Sequence, residues 1–292
     1  MPTTNAFPGS KDHASRPSLD GLALDQRDPQ FIRSTLMPIW DWFYHHYFSV
    51  TTDGWDNVPD TGKVMIVGSH NGGLVSPDMF MAIYDWFRHF GTERPAYALT
   101  HPNLWKLTPF LAEPAAKCGS LQATAEMAIA ALQAEAALLI YPGGLKDVFR
   151  PYSERNKIRF EGNTDFIKLA LRKEAPIVPL ISKGAHNTLI VLADFYEQVR
   201  QLHGAGLPWP FGIDPEVFPI YLGLPWGLGV GPLPNIPFPV LMHIRLGRQI
   251  IFDRYGEEAS KDKDYVLMCY NQVHNQMQKE LDVLIGETSK RG

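Results

Sequence analysis

Residues 64–80 read Val-Met-Ile-Val-Gly-Ser-His-Asn-Gly-Gly-Leu-Val-Ser-Pro-Asp-Met-Phe, and this stretch decides the fold class of the chain. Its first four residues are apolar and partly β-branched, which is typical of a buried strand. Ser76-Pro77-Asp78 predicts a helix start, with serine at the N-cap, proline at the first helical position and an acid in the first turn. A strand, a glycine-containing loop and a helix together indicate an α/β sheet whose loop lies at the carboxyl edge, where such sheets bind ligands.

The loop between this strand and this helix carries His70 and two glycines, Gly72 and Gly73. Backbone N–H groups at a helix start favour an anion or a developing oxyanion nearby. His70 has the chemistry of a general base beside such a site. At this point the alternative stays open, in which the histidine is a turn residue and Asp78 complements the helix dipole.

Composition excludes several classes of function. The 292 residues, with 45% hydrophobic and 20% charged residues, suit one large globular α/β domain or two small ones. A net charge of −4 argues against nucleic acid as a main partner, because neutralising phosphates needs a basic surface. Cys118 and Cys269 lack the spacing of a metal site or a disulfide framework, which is compatible with a reducing, cytoplasmic compartment. The N-terminus lacks the apolar core of a signal peptide.

One uncharged segment is unusual for a surface loop. Val217–Met242 contains no Asp, Glu, Lys or Arg and is rich in apolar residues, and its six prolines forbid a continuous helix. Such a segment is either buried over the core or exposed to an apolar surface, and the sequence leaves both readings open.

The chain begins with a predicted mobile tail over residues 1–27, followed by a domain over 28–290. Asp28-Pro29 predicts the start of an amphipathic helix that Pro38 would kink. The residues predicted to share one helical face are Ile32, Leu36, Ile39, Trp40, Phe43 and Tyr47. This aromatic-rich helix suits either a membrane interface or packing on its own domain.

Further elements alternate between helix and strand, which predicts a mainly parallel sheet. The predicted helices are 77–90, 124–136, one capped by Asn163 or Thr164 that runs to Lys173, and a C-terminal one that ends before Gly286. The predicted strands are 64–67, 96–100, 137–141 and 176–181. We therefore expect a single α/β domain with a mainly parallel central sheet flanked by helices and an N-terminal amphipathic helix.

Three blocks occur in a characteristic order: Ile66-Val-Gly-Ser-His70-Asn-Gly-Gly, Ala137-Leu-Leu-Ile-Tyr-Pro-Gly-Gly144 and Ala175-Pro-Ile-Val-Pro-Leu180. Over roughly residues 55–250 the chain resembles the glycerolipid and lysophospholipid acyltransferase superfamily. The closer resemblance is to the branch with diacylglycerol acyltransferase-like enzymes and plant phytyl ester synthases. An acyltransferase-like fold and an O-acyltransferase activity are what this resemblance implies.

The resemblance also implies a site. His70 matches the histidine that takes a proton from an acceptor hydroxyl, and Asp78 is the candidate carboxylate that orients it. The partners implied are acyl-CoA or acyl carrier protein as co-substrate, a lipid acceptor and a membrane surface, with no other cofactor and no metal. The residues implied to bind substrate are Asn71, Gly72, Gly73, Pro142, Gly143, Gly144, Lys146, Asp147 and Arg150.

The chain departs from the superfamily pattern in both main blocks. Val75 stands where the common motif has aspartate, and Asp78 follows later, in the first helical turn. Gly143 replaces the glutamate of Phe-Pro-Glu-Gly-Thr-Arg, and Lys146 stands at its arginine. The Pro-Gly-Gly form favours a glyceride or long-chain alcohol as acceptor, although the Lys146 ammonium keeps a phosphate possible. The basic segment 146–159 either contacts phosphate groups or is a solvated loop.

Other enzyme classes lack their motifs here. The chain contains no Gly-x-Ser-x-Gly elbow for a serine hydrolase, no His-Glu-x-x-His for a zinc enzyme and no phosphate-binding glycine motif for a nucleotide. The alternative to an enzyme is a non-catalytic lipid-binding or membrane-associated protein on the same scaffold, since a fold does not guarantee a function.

Overall fold

A computed structural model describes residues 19–209, 212 and 214–289. The strands in chain order are β1 (Val50–Asp53), β2 (Val64–Gly68), β3 (Ala96–Thr100), β4 (Ser120–Gln122), β5 (Ala137–Ile140), β6 (Ile177–Lys183), β7 (Ile190–Asp194), β8 (Pro219–Gly223), β9 (Gly227–Val230) and β10 (Met242–Leu246). The α-helices are α1 (Pro29–Phe31), α2 (Met37–Trp42), α3 (Pro77–Phe90), α4 (Asn103–Leu107), α5 (Pro109–Cys118), α6 (Ala125–Gln133), α7 (Gly144–Val148), α8 (Asp165–Lys173), α9 (Tyr196–Gly204), α10 (Glu257–Lys261) and α11 (Lys263–Ser289).

A seven-stranded sheet forms the centre of the domain, in the order β1-β10-β6-β2-β5-β3-β4. The strands β6, β2, β5, β3 and β4 run parallel, whereas β10 pairs antiparallel with β6, and β1 lies parallel to β10. The predicted α/β fold with a mainly parallel sheet flanked by helices is therefore confirmed. Because β2 lies between β5 and β6, the loop that carries His70 leaves the middle of the carboxyl edge.

The sheet is apolar on both faces because helices cover both. Every residue of β2 is buried, which accounts for its uninterrupted apolar run. One face packs against α6, α8 and α11 through side chains such as Leu132, Leu171 and Val273. The other packs against α3 and the N-terminal helical segment through side chains such as Met81 and Tyr44.

The helical segment of residues 29–47 begins at the predicted Asp28-Pro29, where the Asp28 carboxylate accepts from the Phe31 N–H at 2.9 Å. Two of its turns, Ile32–Leu36 and Phe43–Tyr47, are π-helical, and Pro38 follows the first of them. A residue inserted by a π turn rotates the following side chains by about 100°. Ile39 is therefore 51% exposed while Ile32 is fully buried, so the prediction that the two share one helical face is wrong.

The C-terminal helix continues past Gly286 to Ser289, so the predicted end before Gly286 is wrong. A glycine costs only about 1 kcal/mol relative to alanine in a helix. Tertiary contacts offset that cost here, since Leu284 is buried and Glu287 forms an ion pair with Arg245 of β10 at 2.9 Å.

A second, three-stranded antiparallel sheet, in the order β7-β8-β9, was not predicted. It contains the hairpin β8–β9 from the uncharged segment Val217–Met242. Its inner face buries Val191 and Tyr221, whereas its outer face exposes Leu192, Leu222 and Leu228. One face of the segment is therefore buried and the other is exposed, and contact of the exposed face with an apolar surface stays a prediction.

The predicted tail of residues 1–27 lies outside the described residues as far as residue 18. Residues 19–27 contact the domain. The Gln122 N–H donates to the Gly21 carbonyl at 2.9 Å, and the Arg27 guanidinium donates to the Thr92 carbonyl at 2.6 Å. These hydrogen bonds tie the second part of the predicted tail to the strands and loops beside it.

Leu171 tests the core beneath α8. Its side chain is fully buried between the sheet and α11, so Leu171→Ala should lower the free energy of unfolding by about 2–5 kcal/mol. Urea denaturation measures this as a lower midpoint with an unchanged slope. The control, Lys168→Ala on the exposed side of the same helix, should change stability by about 0.5 kcal/mol or less. Equal effects of the two variants would contradict the assignment of the buried face.

Candidate active site

His70 follows β2 in a loop that requires its two glycines. Gly72 and Gly73 have φ angles of 78° and 76°, in the left-handed region that glycine adopts without strain. A Cβ atom on Gly73 would lie 2.7 Å from Asn235 Oδ1, so the loop also packs closely against the chain beyond β9. The loop is therefore fixed in shape, and it presents His70 half-buried at the sheet edge.

Two contacts orient the imidazole ring. It stacks on Tyr141, at the end of β5, with 4.0 Å between ring centroids and 15° between planes. Its Nδ1 lies 3.3 Å from the Ser76 Oγ, and that hydroxyl donates to the Gly73 carbonyl at 3.0 Å. Because the serine proton is used in that bond, the ring N–H is assigned to Nδ1. Nε2 then carries the lone pair that a general base needs.

The surroundings keep His70 neutral. The pKa of His70 is lowered to about 3. Burial is the main cause, and the positive charge of Arg150 is the second. The imidazole is therefore unprotonated at neutral pH. Its lone pair is free to meet a substrate hydroxyl, but a pKa this far below neutral also makes the imidazole a weak base in the absence of substrate.

Asp78 lies in the first turn of α3, fully buried. Its Oδ2 accepts from the Asn71 side-chain amide at 3.1 Å, and that amide also donates to the Ser69 carbonyl at 2.8 Å. Among the described contacts, the hydroxyl of Ser76 and not the carboxylate of Asp78 reaches the His70 Nδ1. The role of Asp78 in orienting His70 stays a prediction.

A second carboxylate, that of Asp147 in α7, contacts the His70 loop from the interior of the protein. It is fully buried and accepts from the His70 backbone N–H at 2.5 Å and from the Ser69 hydroxyl at 2.9 Å. Arg150 pairs with it at 3.0 Å and donates to the Asn71 Oδ1 at 3.3 Å. Asp147 and Arg150 are both predicted to bind substrate, but the polar atoms named here form hydrogen bonds and an ion pair within the protein.

The other residues predicted to bind substrate divide by exposure. Asn71, Pro142 and Gly143 are buried, and the Pro142 carbonyl accepts from the Asn163 amide at 3.1 Å. Gly144, with a φ of 58°, and Lys146 are exposed. Of the predicted substrate-binding residues at 142–150, only these two are exposed, so a charged contact to a phosphate from this segment would come from Lys146.

His186 is a site residue that the sequence did not indicate. It lies in the turn Ala185–Thr188 after β6, is buried, and its Nε2 contacts the Arg150 guanidinium. The feature that could have indicated His186 is the position of its strand in the sheet. β6 is parallel to β2, so its carboxyl end meets the same sheet edge as the His70 loop.

The fold and the site define an α/β protein with a neutral histidine at the carboxyl edge of its central strand. No family profile matches the chain. It is 26% identical over 254 residues to uncharacterized proteins of Mycobacterium bovis and Mycobacterium tuberculosis (strain H37Rv), which covers 87% of this chain. It is 25% identical to an uncharacterized protein of Mycobacterium leprae. The chain spans 66% of the length of the first two relatives.

Among solved structures, the chain is similar to the 1-acyl-sn-glycerophosphate (LPA) acyltransferase PlsC from Thermotoga maritima. The sequence identity is 14%, the match covers 86% of this chain and 84% of that chain, and the TM-score is 0.44.

Asp78 gives the site a measurable pH dependence. Burial raises the pKa of Asp78 to about 7, from about 4 for an ordinary aspartate. Between these values the folded state holds a proton that the unfolded state lacks, so this group lowers stability as pH rises. In Asp78→Asn that contribution is absent, and the fall in Tm between pH 5 and pH 8 should be smaller than in the wild type. Thermal melts at both values test this, and an identical pH dependence of the two proteins would contradict it.

Proposed function

We propose that the protein is an O-acyltransferase that moves a fatty acyl group from an acyl thioester to a hydroxyl of a lipid alcohol, with His70 as the general base. The observation that carries this is the state of His70, a neutral, half-buried imidazole whose Nδ1 is held by Ser76. The arrangement of the three blocks supports it. The His70 ring of the first stacks on Tyr141 of the second, and the third forms β6 beside β2.

The proposed reaction uses few groups of the protein. The His70 Nε2 accepts the proton of the acceptor hydroxyl while its oxygen attacks the thioester carbonyl. The tetrahedral oxyanion lies near the loop of residues 72–78 and the start of α3, where the helix dipole stabilises negative charge. The C–S bond then breaks, and the imidazolium returns its proton to the departing thiolate. The products are an ester and a free thiol.

The core contains a small apolar cavity, with a volume of about 40 Å³. It lies between α3 and the central sheet and is lined by Ile66, Ala82, Ala98, Ala137 and Leu139, among other mainly apolar residues. Ile66 and Leu139 belong to the same side of the sheet as Tyr141, on which the His70 ring stacks. This volume is well below that of an ordinary ligand pocket, so a fatty acyl chain would enter here only if the helix and sheet moved apart.

The acceptor that we propose is a glyceride or a long-chain alcohol. Gly143 is buried against Asp147 and offers no side chain to a ligand, so the glutamate of the phosphate-acceptor enzymes has no counterpart at this position. Lys146 is the exposed cation of this block, and a lysophosphatidic acid acceptor would use it. Either acyl-CoA or acyl carrier protein supplies the thioester.

His70→Ala tests the base. Transfer of labelled acyl groups from acyl-CoA to a panel of glycerides, long-chain alcohols and lysophosphatidic acid should fall by about 10²-fold or more, because general-base assistance contributes about this much. His203→Ala, an exposed histidine on α9, is the control and should keep full activity. Asp78→Asn should show strong non-additivity with His70→Ala if Asp78 acts through the imidazole. Full activity of a folded His70→Ala would overturn the mechanism and favour the non-catalytic lipid-binding alternative.

We further propose that the protein binds a membrane surface. None of the helices in the described part of the chain is long and apolar enough to span a bilayer. Support comes from exposed apolar side chains on the outer face of the second sheet and the loop after it, with Leu228 60% and Leu241 77% exposed. The Tyr47 hydroxyl donates to the Pro237 carbonyl at 2.7 Å, which places this loop against the helical segment that exposes Trp42. The two apolar surfaces therefore adjoin.

Liposome flotation tests this surface. Leu222→Ser with Leu228→Ser should lower the bound fraction, because interfacial affinity follows the apolar area that enters the membrane. Ile39→Ser with Trp42→Ser tests the helical segment in the same way. Leu267→Ser, at an exposed position of α11, serves as the control and should bind as the wild type does. Undiminished flotation of both double variants would remove this surface from the account.

A further inference from the structure

Two charged side chains, Asp147 and Arg150, are almost completely buried beneath the His70 loop, with 0% and 2% exposed. Removing such charges from water costs several kcal/mol for each ion, and their mutual attraction offsets this cost only when further hydrogen bonds satisfy both groups. The partners that supply those hydrogen bonds therefore indicate what the pair holds in place.

Most of the partners are the three residues at and around the candidate base. The Asp147 carboxylate accepts from the Ser69 hydroxyl and from the His70 backbone N–H, and the Arg150 guanidinium donates to the His70 carbonyl at 3.4 Å and to the Asn71 amide oxygen at 3.3 Å. The backbone of His70 is thus held on both sides, its N–H by the Asp147 carboxylate and its carbonyl by the Arg150 guanidinium.

His186 completes the support of Arg150. Its Nε2 contacts the guanidinium, and the Lys157 carbonyl accepts from the same arginine. Burial, together with the charge of Arg150, holds the pKa of His186 far below its usual value, so its ring is neutral and accepts the hydrogen bond. Arg150 therefore has an acceptor in the turn after β6 as well as in the loop after β2.

Gly143 makes room for this arrangement. Its φ of −74° is open to any residue, so conformation does not require a glycine there. A Cβ atom would instead lie 2.5 Å from the Asp147 Cβ and 2.7 Å from the Arg159 carbonyl oxygen. The first glycine of the Pro-Gly-Gly block thus provides the space that lets Asp147 approach the His70 loop, whereas the second, Gly144, provides the left-handed φ of 58°.

On the basis of the proposed acyl-transfer function, we propose that Asp147 and Arg150, with His186 behind them, are positioning residues for His70 and are not substrate ligands. They fix the backbone from which the imidazole projects, and Ser76 and Tyr141 fix the ring. A base displaced by about 1 Å can cost about 10²-fold in rate, so a fixed backbone matters for the chemical step.

Asp147→Asn is the test, with Asp165→Asn, an exposed carboxylate on α8, as the matched control. Asp147→Asn should lower kcat by about 10²-fold with KM unchanged, because the substrate does not touch this group. In the His70→Ala background it should lower the residual rate no further, because it acts only through His70. A raised KM with kcat retained, or an additional loss in the His70→Ala background, would overturn the assignment.

A readout independent of activity separates this inference from the proposed function. Exchange of the His70 backbone amide proton, measured by NMR, should be faster in Asp147→Asn than in Asp165→Asn, since its acceptor has been weakened. Unchanged exchange would overturn the positioning role, whereas faster exchange together with full activity of His70→Ala would reject only the acyltransferase mechanism. If Asp147→Asn does not fold, Gly143→Ala, which displaces Asp147, should show the same loss of kcat and the same faster exchange. Gly204→Ala, at an exposed glycine of α9 where a Cβ atom would meet nothing within 4 Å, is its control. An unaffected Gly143→Ala would contradict the inference.

Discussion

The buried ion pair between Asp147 and Arg150 is the constraint on which the arrangement of the site depends. Two charges without water depend on hydrogen bonds to nearby groups, and here most of those bonds reach the loop after β2. The pair therefore couples α7 to the centre of the sheet. It also places a positive charge near the imidazole, which helps to hold His70 in its neutral form.

Parallel topology explains why these groups meet. β5, β2 and β6 are neighbours with the same direction, so the loops after them emerge side by side at one edge. Tyr141 follows β5, His70 follows β2 and His186 follows the end of β6, although more than a hundred residues separate the last two. A base at that edge is accessible from outside while its supporting groups remain in the interior.

The second sheet gives the molecule two kinds of surface. Its inner face packs beside the site, with Leu189 and Asn235 close to the His70 loop, and its outer face is apolar and uncharged. The apolar cavity under α3 lies on the same side of the central sheet as the ring of Tyr141. The proposed acyl transfer and the proposed membrane contact are therefore compatible in one molecule.

The sequence by itself determined the elements whose signals are local. The apolar run of β2, the Pro-Asp first turn of α3, the Ala-rich helix before β5 and the strand predicted at 176–181 follow from spacing and turn chemistry, whereas the predicted capping hydrogen bond of Ser76 is not formed. His70 was predictable as the candidate base for the same reason, since one loop contains the histidine, the glycines and the helix start. Only the tertiary structure decided which groups surround it. Ser76 contacts Nδ1 where Asp78 was expected, and His186 and Arg150 act across long sequence separations. The exposure of Ile39 depends on the π turn that precedes it. The continuation of α11 past Gly286 depends on the Arg245–Glu287 ion pair. Such contacts carry no periodic signal in the sequence, because they arise only when distant segments are brought together by the sheet.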